Sequence, residues 1–525
     1  MTDGQENYER FYYLWHLVAI NAITVPTPPA SGEICPVIGD VAWDFTPPPD
    51  SKAHIALIDM GVAPYHPNLD APTGDGQILW DDAIDLASHP YGVKYDLLTS
   101  FPAAAKHREE KVSWLNGLPA GSTIGTLTSA EEKIVDEIRS GCGVKRYVHA
   151  YDDRYAAHGT SCAGLTSGTS YAADQFGNAG NIATYFGVDP LSKVLPITTS
   201  ISPSPRELIA AFLYAFSKDV EVILFPRDVA DPNHWPGYPD LDDDEKTRIH
   251  ETKLGEPSQD ALGISADWAL LSKVITWVSK KIPVVCAAGN DGRSKLIYPA
   301  SLSSDTDNGV ISVGAVSYQA FRSGYSNYSS DDHLTVVAPS DDGEVYNRNQ
   351  IRLDRQAASA GDFHVDPDLH KKPGSCTEKI PYLSYSPQRL VTLDVPGPRG
   401  YVEGTLAGPV AARAKAGDDP AGLYTEFGGT SGACALVAGA IALMQRKSAV
   451  NLSGKDIKDL FEGLNASPTR HSVAHWYWLP AAVNELQVDD VNGKKDAAGN
   501  PVMPSKDELF GKAGLLDVAK LLALV

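Results

Sequence analysis

The sequence has 525 residues, of which 43% are hydrophobic and 21% are charged. A chain of this length and composition can bury a large core, and the composition excludes a mainly disordered protein. The chain has 44 Lys and Arg residues against 66 Asp and Glu residues, so its net charge is −22. Because this excess of negative charge repels polyanions, we expect no nucleic acid partner.

The first 51 residues contain one apolar stretch, FYYLWHLVAINAI, at positions 11–23. Acidic residues and a single Arg10 precede the stretch, in place of the basic segment of a signal peptide. The stretch is also too short to span a membrane. We therefore predict that residues 1–51 form an extension packed on the core, and we expect no membrane partner.

Four apolar runs rich in β-branched residues predict buried strands: HIALID (54–59), VEVILF (220–225), IPVVCAAGN (282–290) and VISVGAV (310–316). Helical patterns lie between them, at 206–219 and 266–281. The alternation of strand and helix predicts an α/β fold with a mostly parallel central sheet.

Pro, Gly and charged residues cluster in three long segments, where the hydrophobic periodicity fades. We predict one domain over residues 52–525 with surface insertions near 70–150, 226–262 and 340–425. The six cysteines do not show paired spacing, and at least three lie in apolar or small-residue runs. We expect buried free thiols, which favour a reducing compartment, and we predict a cytoplasmic location.

Four polar residues stand at the ends of predicted strands or the starts of predicted helices. Asp59 ends the first strand, His158 lies in AAHGTSCAG, Asn290 follows the third strand, and Ser431 opens an apolar helical pattern in GGTSGACALVAG. Loops at the carboxyl edge of a parallel sheet converge on one crevice, so we expect these side chains to meet there. Taken singly, Asp59 or Asn290 would more often form a strand-end turn. Together, the four residue types supply a nucleophile, a base, an orienting acid and a donor to negative charge.

The segments that carry these residues resemble the motifs of the subtilases, the subtilisin-like serine peptidases, in the same order along the chain. The matching segments are IALIDMGV (55–62), HGTSCAG (158–164), VVCAAGNDG (284–292) and GGTSGACALVAG (428–439). The resemblance implies a subtilisin-like three-layer fold and a serine endopeptidase that acts on polypeptides. It also implies that Ser431 attacks, His158 accepts the proton and Asp59 orients His158. Asn290 and the backbone N–H of Ser431 would bind the oxyanion.

The sequence departs from the family pattern after VEVIL, where the family usually has a Ser-x-Gly-like run that pairs with the substrate. Phe225, Pro226 and Arg227 stand there instead, and proline has no N–H to donate. We therefore predict a selective peptidase, with Phe225 and Pro226 on one side of the substrate. The opposite wall would consist of the small residues Ala287, Ala288 and Gly289.

No cofactor is expected to be required, because the sequence has neither a phosphate-binding loop nor paired Cys and His spacing for zinc. The resemblance allows calcium, for which the acidic loops at Asp81–Asp82 and Asp242–Asp244 are candidates. Because fewer than 55 residues precede the Asp59 strand, we expect no prodomain. An alternative stays open, a catalytically weak or inactive peptide-binding protein on the same scaffold. The sequence leaves the oligomeric state open, and also the choice between hydrolysis and transfer of the acyl group to an amine.

Overall fold

The computed structural model of the protein describes residues 14–23, 53–63, 66–69, 76–86, 110–112, 117–141, 144–146, 154–169, 185–200, 203–227, 229, 261–290, 295–316, 323, 325–329, 334–340, 353–354, 364–365, 390–395, 400–401, 423–466 and 513–525. Within these ranges the strands are, in chain order, β1 (His54–Asp59), β2 (Ile84–Asp85), β3 (Glu110–Val112), β4 (Val144–Arg146), β5 (Lys193–Thr198), β6 (Val222–Phe225), β7 (Val284–Ala287), β8 (Val310–Val316), β9 (Val336–Pro339), β10 (Leu353–Asp354), β11 (His364–Val365), β12 (Leu390–Leu393), β13 (Tyr424–Phe427) and β14 (Gly514–Leu515).

The α-helices in the same ranges are α1 (Trp15–Ala19), α2 (Ser129–Gly141), α3 (Arg154–Ser167), α4 (Pro205–Ser217), α5 (Ala261–Lys281), α6 (Gly429–Lys447), α7 (Gly454–Ala466) and α8 (Val518–Leu522). The local sequence explains where α4 begins. The N-cap residue Ser204 accepts a hydrogen bond from the Glu207 N–H at 3.2 Å, and Pro205 occupies the first helical position of α4.

Eight strands form the central sheet in the order β14-β9-β8-β7-β6-β1-β5-β2, and every pair of neighbours is parallel. The continuous apolar runs predicted this arrangement because strands covered on both faces need no polar alternation. All four predicted strands are present, although β6 and β7 are shorter than the runs that predicted them. The predicted α/β class is confirmed.

Helices cover both faces of the sheet, and β1 shows how its residues divide between them. Ile55 and Leu57 face the core that contains α3 and α6. Ala56 and Ile58 face the other core, which contains α4 and α5. This alternation gives a helix–sheet–helix sandwich in which β1 is the third strand from the β2 edge.

Parts of the segments predicted as surface insertions belong to the core instead. β2 forms one edge of the central sheet, and Ile84 and Asp85 are 1% and 4% exposed. α2 buries Val135 and Ile138, and β12, within the third segment, is fully covered. Strands of two to four residues have too little periodicity to be recognised in a sequence, which explains why β2 and β12 were missed. α2 has 13 residues, and it was missed because its segment was assigned from its Pro, Gly and charged residues.

The N-terminal residues 14–23 pack against the core and against the C-terminal helix. Leu14, Leu17 and Ile20 are fully buried, and the Ile20 carbonyl accepts a hydrogen bond from the Val518 N–H at 2.8 Å. Among the described residues, no helix combines the length and apolar character that crossing a membrane would need.

Cysteines in the described ranges are free and buried, as predicted: Cys162, Cys286 and Cys434. The other three, Cys35, Cys142 and Cys376, lie outside the described residues. Burial raises the pKa of the Cys286 thiol above its usual range, so the thiol stays protonated and inert.

His16 in α1 is fully buried, and neither of its ring nitrogens has a hydrogen-bond partner. Burial lowers its pKa from 6.5 to about 3. Between these two values the unfolded chain binds a proton that the folded chain does not, so folding stability falls as the pH falls. The maximum slope is about 1.4 kcal/mol per pH unit.

We therefore expect His16→Leu to reduce the loss of stability between pH 8 and pH 5, as measured by urea unfolding at both pH values. At pH 8 the variant tests packing alone, because histidine is then neutral in both states. A variant with the parent's full sensitivity to acid would show that His16 does not carry this pH dependence.

Candidate active site

Asp59 ends β1 at the carboxyl edge of the sheet and is 1% exposed. Its Oδ1 accepts a hydrogen bond from the Met60 N–H at 2.7 Å. Its Oδ2 lies 2.7 Å from Nδ1 of His158. A buried carboxylate needs such partners because its charge is otherwise costly to remove from water.

His158 lies near the start of α3, with its side chain 17% exposed. The helix approaches the end of β1 closely at Gly159, where an added Cβ would stand only 2.0 Å from the Gly61 carbonyl oxygen. Thr160 fixes the same contact, because its hydroxyl oxygen accepts a hydrogen bond from the Ala63 N–H at 2.8 Å. With Nδ1–H directed at Asp59, Nε2 of His158 is the nitrogen that can act as a base.

Ser431 is the third residue of α6 and is 8% exposed. Its hydroxyl donates a hydrogen bond to the carbonyl oxygen of Pro226 at 2.8 Å. The ring of Phe427, four residues earlier, packs edge-on against the His158 ring with the centroids 5.5 Å apart. Ser431 and His158 therefore lie at the same edge of the sheet, and the serine hydroxyl is turned towards Pro226 in this structure.

Asn290 follows β7 and is held against the start of α6. Its Oδ1 accepts hydrogen bonds from the Thr430 N–H at 2.8 Å and from the Thr430 hydroxyl at 2.9 Å. Because both partners are donors, the oxygen of the amide faces Thr430, and Nδ2 is the atom that can donate to another group. Asn290 is itself exposed, so this donor lies at the protein surface.

Gly429 places Thr430 and Asn290 together. Its φ of +76° is a conformation that favours glycine, and an added Cβ would lie 3.3 Å from Nδ2 of Asn290. Its N–H donates to the Tyr325 hydroxyl oxygen at 3.0 Å, and its carbonyl accepts from the Ser340 hydroxyl at 2.9 Å. Sequence reasoning missed Thr430, Tyr325 and Ser340 as supporting residues. Only Thr430 had a usable signal, since it stands beside Ser431 in the GGTSGA motif.

The structure contradicts the prediction that the Phe225 side chain lies beside the substrate. The Phe225 side chain is fully buried, with its ring centroid 5.7 Å from that of Phe212 in the core. It points away from the crevice because successive side chains of a strand face opposite sides of the sheet. Pro226, the next residue, contributes its carbonyl oxygen to Ser431.

The small residues after β7 are placed beside the start of α6. Ala287, Ala288 and Gly289 are all buried, and the Gly289 N–H donates to the Thr430 hydroxyl oxygen at 3.2 Å. This contact brings the end of β7 next to Ser431. The role of Ala287, Ala288 and Gly289 as a wall of the substrate cleft stays a prediction.

Arg227 also lies at this edge of the sheet and is 9% exposed. The sequence did not reveal its structural role. Its guanidinium donates to the Thr199 hydroxyl oxygen at 2.8 Å and twice to the Ser200 carbonyl oxygen at 3.1 Å. The Thr199 N–H in turn donates to the Asp59 carbonyl at 2.8 Å. Since β1 lies between β6 and β5, Arg227 reaches across the end of the strand that carries Asp59.

Glu207 lies on the other side of Ser200 from Arg227. Its carboxylate accepts hydrogen bonds from the Ser200 N–H and hydroxyl. Burial raises the pKa of Glu207 to about 7, against the effect of these hydrogen bonds and of the Arg227 charge. Ser200 is thus held between a carboxylate and a guanidinium.

Within the described ranges, one group of three potential metal ligands lies close together: Asp59, His158 and Cys162, with ligand atoms within 4.8 Å. The first two already contact each other, and burial raises the pKa of the Cys162 thiol well above its usual range. Of the calcium candidates, Asp82 forms an ion pair with Lys218 at 2.5 Å. Asp242–Asp244 lie outside the described residues, and calcium binding stays a prediction.

Comparison with known proteins places these motifs in a family. A sequence model of the subtilase family, Peptidase_S8, matches residues 50–469. No curated protein sequence matches the chain.

The chain is also similar to several solved structures. The epidermin leader peptide processing serine protease of Staphylococcus aureus is 17% identical, with 91% of this chain and 76% of that chain covered and a TM-score of 0.44. The serine protease of Aeromonas sobria is 17% identical, with 90% and 60% covered and a TM-score of 0.43. The nisin leader peptidase of Lactococcus lactis is 14% identical, with 91% and 88% covered and a TM-score of 0.40.

Replacing Arg227 should destabilise this edge of the sheet. Arg227→Met removes three hydrogen bonds to buried or half-buried oxygens, so we expect the free energy of unfolding to fall by about 1–3 kcal/mol, as measured by urea unfolding. Arg206→Met is the matched control, since Arg206 is 48% exposed and its ion pairs with Asp267 and Glu137 lie at the surface. We expect that control to stay within about 0.5 kcal/mol of the parent. Equal effects of the two substitutions would contradict the bridging role of Arg227.

Proposed function

Because the chain belongs to the subtilase family, as the match over residues 50–469 shows, we propose that Asp59, His158 and Ser431 are its catalytic relay. The protein is a subtilisin-like serine endopeptidase, and its substrate is a polypeptide. The observation that carries the proposed assignment is the 2.7 Å contact between His158 Nδ1 and the buried Asp59 carboxylate, formed beside the start of the helix that holds Ser431.

In the proposed reaction, Ser431 Oγ attacks the carbonyl carbon of the scissile peptide bond while His158 Nε2 takes the hydroxyl proton. Asp59 stabilises the resulting imidazolium. His158 then passes the proton to the leaving amine as the C–N bond breaks, and an acyl-enzyme forms on Ser431. A water molecule, deprotonated by His158, hydrolyses the acyl-enzyme and regenerates the serine.

The negative charge that develops on the carbonyl oxygen needs fixed donors. Asn290 supplies Nδ2, which is oriented because Thr430 holds the amide oxygen. The backbone N–H of Ser431 is the second donor in the proposal. Both lie at the start of α6, where the N–H groups of the first turn favour negative charge.

Before attack, the Ser431 hydroxyl has to leave Pro226 and turn to His158. Hydrogen bonds between catalytic groups are often absent without substrate and form only in the complex. The Pro226 carbonyl thus holds the nucleophile in a resting orientation. We propose that a bound peptide, packed against this strand end, favours the orientation towards His158.

We also propose that the enzyme is selective. Pro226 has no N–H with which to pair a substrate strand, so one backbone hydrogen bond to the peptide is lost at this position. The three buried free thiols support a reducing compartment, so we retain the cytoplasm as the proposed location. Nothing in the proposed reaction calls for a cofactor.

A fluorophosphonate probe tests the nucleophile directly, because the probe reacts only with an activated serine. We expect the parent protein to be labelled and Ser431→Ala to remain unlabelled, as read by intact-mass spectrometry. A parent protein that folds but does not react would favour the peptide-binding alternative over the enzyme.

A second experiment separates the two functions proposed for the Asn290 amide. Asn290→Asp keeps an oxygen for Thr430 but loses the Nδ2 donor, whereas Asn290→Ala loses both. We expect each variant to lower the turnover number by roughly 10²–10³ on a peptide substrate, with Asn290→Asp keeping the parent's thermal stability. Parental turnover in Asn290→Asp would remove Asn290 from the oxyanion site.

A further inference from the structure

We propose that Tyr401, together with Phe427, forms a subsite that binds an apolar side chain on the substrate residue that follows the scissile bond. This inference rests on the proposed function, because it takes His158 as the group that protonates the leaving amine. It adds the chemical class of one substrate residue, which neither the family nor the relay specifies.

Tyr401 is a large apolar side chain at the surface, next to the Phe427 ring. It is 42% exposed. Among the described residues, the other exposed large hydrophobic side chains are Val450, after α6, and Leu524 and Val525, at the C-terminal end. Exposed apolar side chains are common singly, so the position of Tyr401 matters more than its exposure.

Three rings form a continuous row from the surface to the base. The Tyr401 ring lies 6.2 Å from the Phe427 ring at an interplanar angle of 38°. The Phe427 ring, 7% exposed, lies 5.5 Å from the His158 ring at 66°. The distances are those of favourable aromatic pairs. Phe427 therefore contacts His158 directly, and Tyr401 extends the same aromatic surface outward from Phe427.

A buried carboxylate fixes the backbone under Tyr401. Asp394 is fully buried, and its Oδ1 accepts hydrogen bonds from the Tyr401 N–H at 3.0 Å and from the Val395 N–H at 2.8 Å. Asp394 directly follows β12, which pairs antiparallel with β13, the strand that ends at Phe427. The two aromatic residues are thus held by one hairpin.

The hairpin is also fixed to the helix that carries His158. The Thr392 hydroxyl donates to the Ser161 carbonyl at 2.7 Å, and the Ser161 hydroxyl donates to the Leu393 carbonyl at 2.8 Å. These reciprocal bonds fix β12 against the helix that carries His158. A rigid apolar surface binds with a small loss of conformational entropy, as a recognition subsite requires.

The mechanism indicates which substrate residue meets this surface. His158 Nε2 must lie within hydrogen-bond distance of the leaving nitrogen to protonate it. The nitrogen belongs to the residue after the scissile bond, so that residue lies nearest the rings packed on His158. The residue before the bond is attached to the carbonyl that Ser431 attacks, next to Pro226 and Asn290. Aromatic and branched aliphatic side chains are the ones that gain from contact with Tyr401.

The test uses a peptide library in which the residues on both sides of a central bond vary, with the cut sites mapped and quantified by mass spectrometry. We expect the parent to prefer Phe, Tyr or Leu over Ser after the cut bond by roughly tenfold or more in kcat/KM. Tyr401→Ala should reduce this preference about fivefold to tenfold, because kcat/KM should fall more for peptides with Phe, Tyr or Leu than for peptides with Ser at that position. Tyr401→Phe keeps the ring and should retain the parent's preference. Val450→Ala removes an exposed apolar side chain elsewhere and should leave the preference unchanged.

The fluorophosphonate probe separates failure of this subsite from failure of the proposed function, because its labelling involves no amino acid after a scissile bond. If Tyr401→Ala is labelled like the parent and cleaves with the parent's preference, the subsite is overturned and the relay stands. If the variant loses labelling and cleavage of all peptides alike, Tyr401 supports the fold and the subsite is again overturned. A folded parent without labelling or cleavage overturns the relay and the subsite together.

Discussion

The close approach of α3 to the end of β1 is the constraint on which the site depends. Gly159 lets the helix lie against the Gly61 carbonyl, and the resulting 2.7 Å contact joins His158 to a carboxylate that is almost fully buried. A larger residue at Gly159 would move the helix and leave the Asp59 charge without its main partner, at a high cost in free energy. The packing of two backbones therefore fixes both the direction of the His158 ring and the charge beside it.

Ser431 is positioned by a helix that is fixed at both of its ends. At its start, Asn290, Tyr325 and Ser340 hold Gly429 and Thr430. Near its end, about 24 Å away, Arg446 pairs with Asp189 at 2.8 Å with both side chains almost fully buried. Burial raises the pKa of Asp189, and the Arg446 charge and hydrogen bonds oppose that rise. The buried pair resists sliding or rotation of α6, since breaking it would expose an uncompensated charge to the core.

The sequence was informative where one residue type answers one local requirement. Continuous apolar runs predicted β1, β6, β7 and β8 because both faces of the sheet are covered. It was uninformative where the outcome depends on contacts between distant segments. β2 has only two residues and no detectable pattern. The Phe225 side chain points into the core and away from the crevice. The hydrogen bond from Ser431 to Pro226 depends on one side-chain torsion. The Arg227 bridge requires knowledge that β1 lies between β5 and β6, which no local pattern contains.

In the proposed peptidase, the strand end at Pro226 and the hairpin at Phe427 would have opposite effects on substrate recognition. Pro226 offers a substrate strand no N–H, and the Arg227 side chain is directed to Thr199 and Ser200 across the end of β1. Backbone pairing is sequence-independent, so reducing it makes affinity depend more on side chains. At the end of the β12–β13 hairpin, Phe427 packs against His158 and would offer side-chain surface there. If the proposed selectivity holds, such a peptidase would gain discrimination from the same change that costs it general affinity for extended peptides.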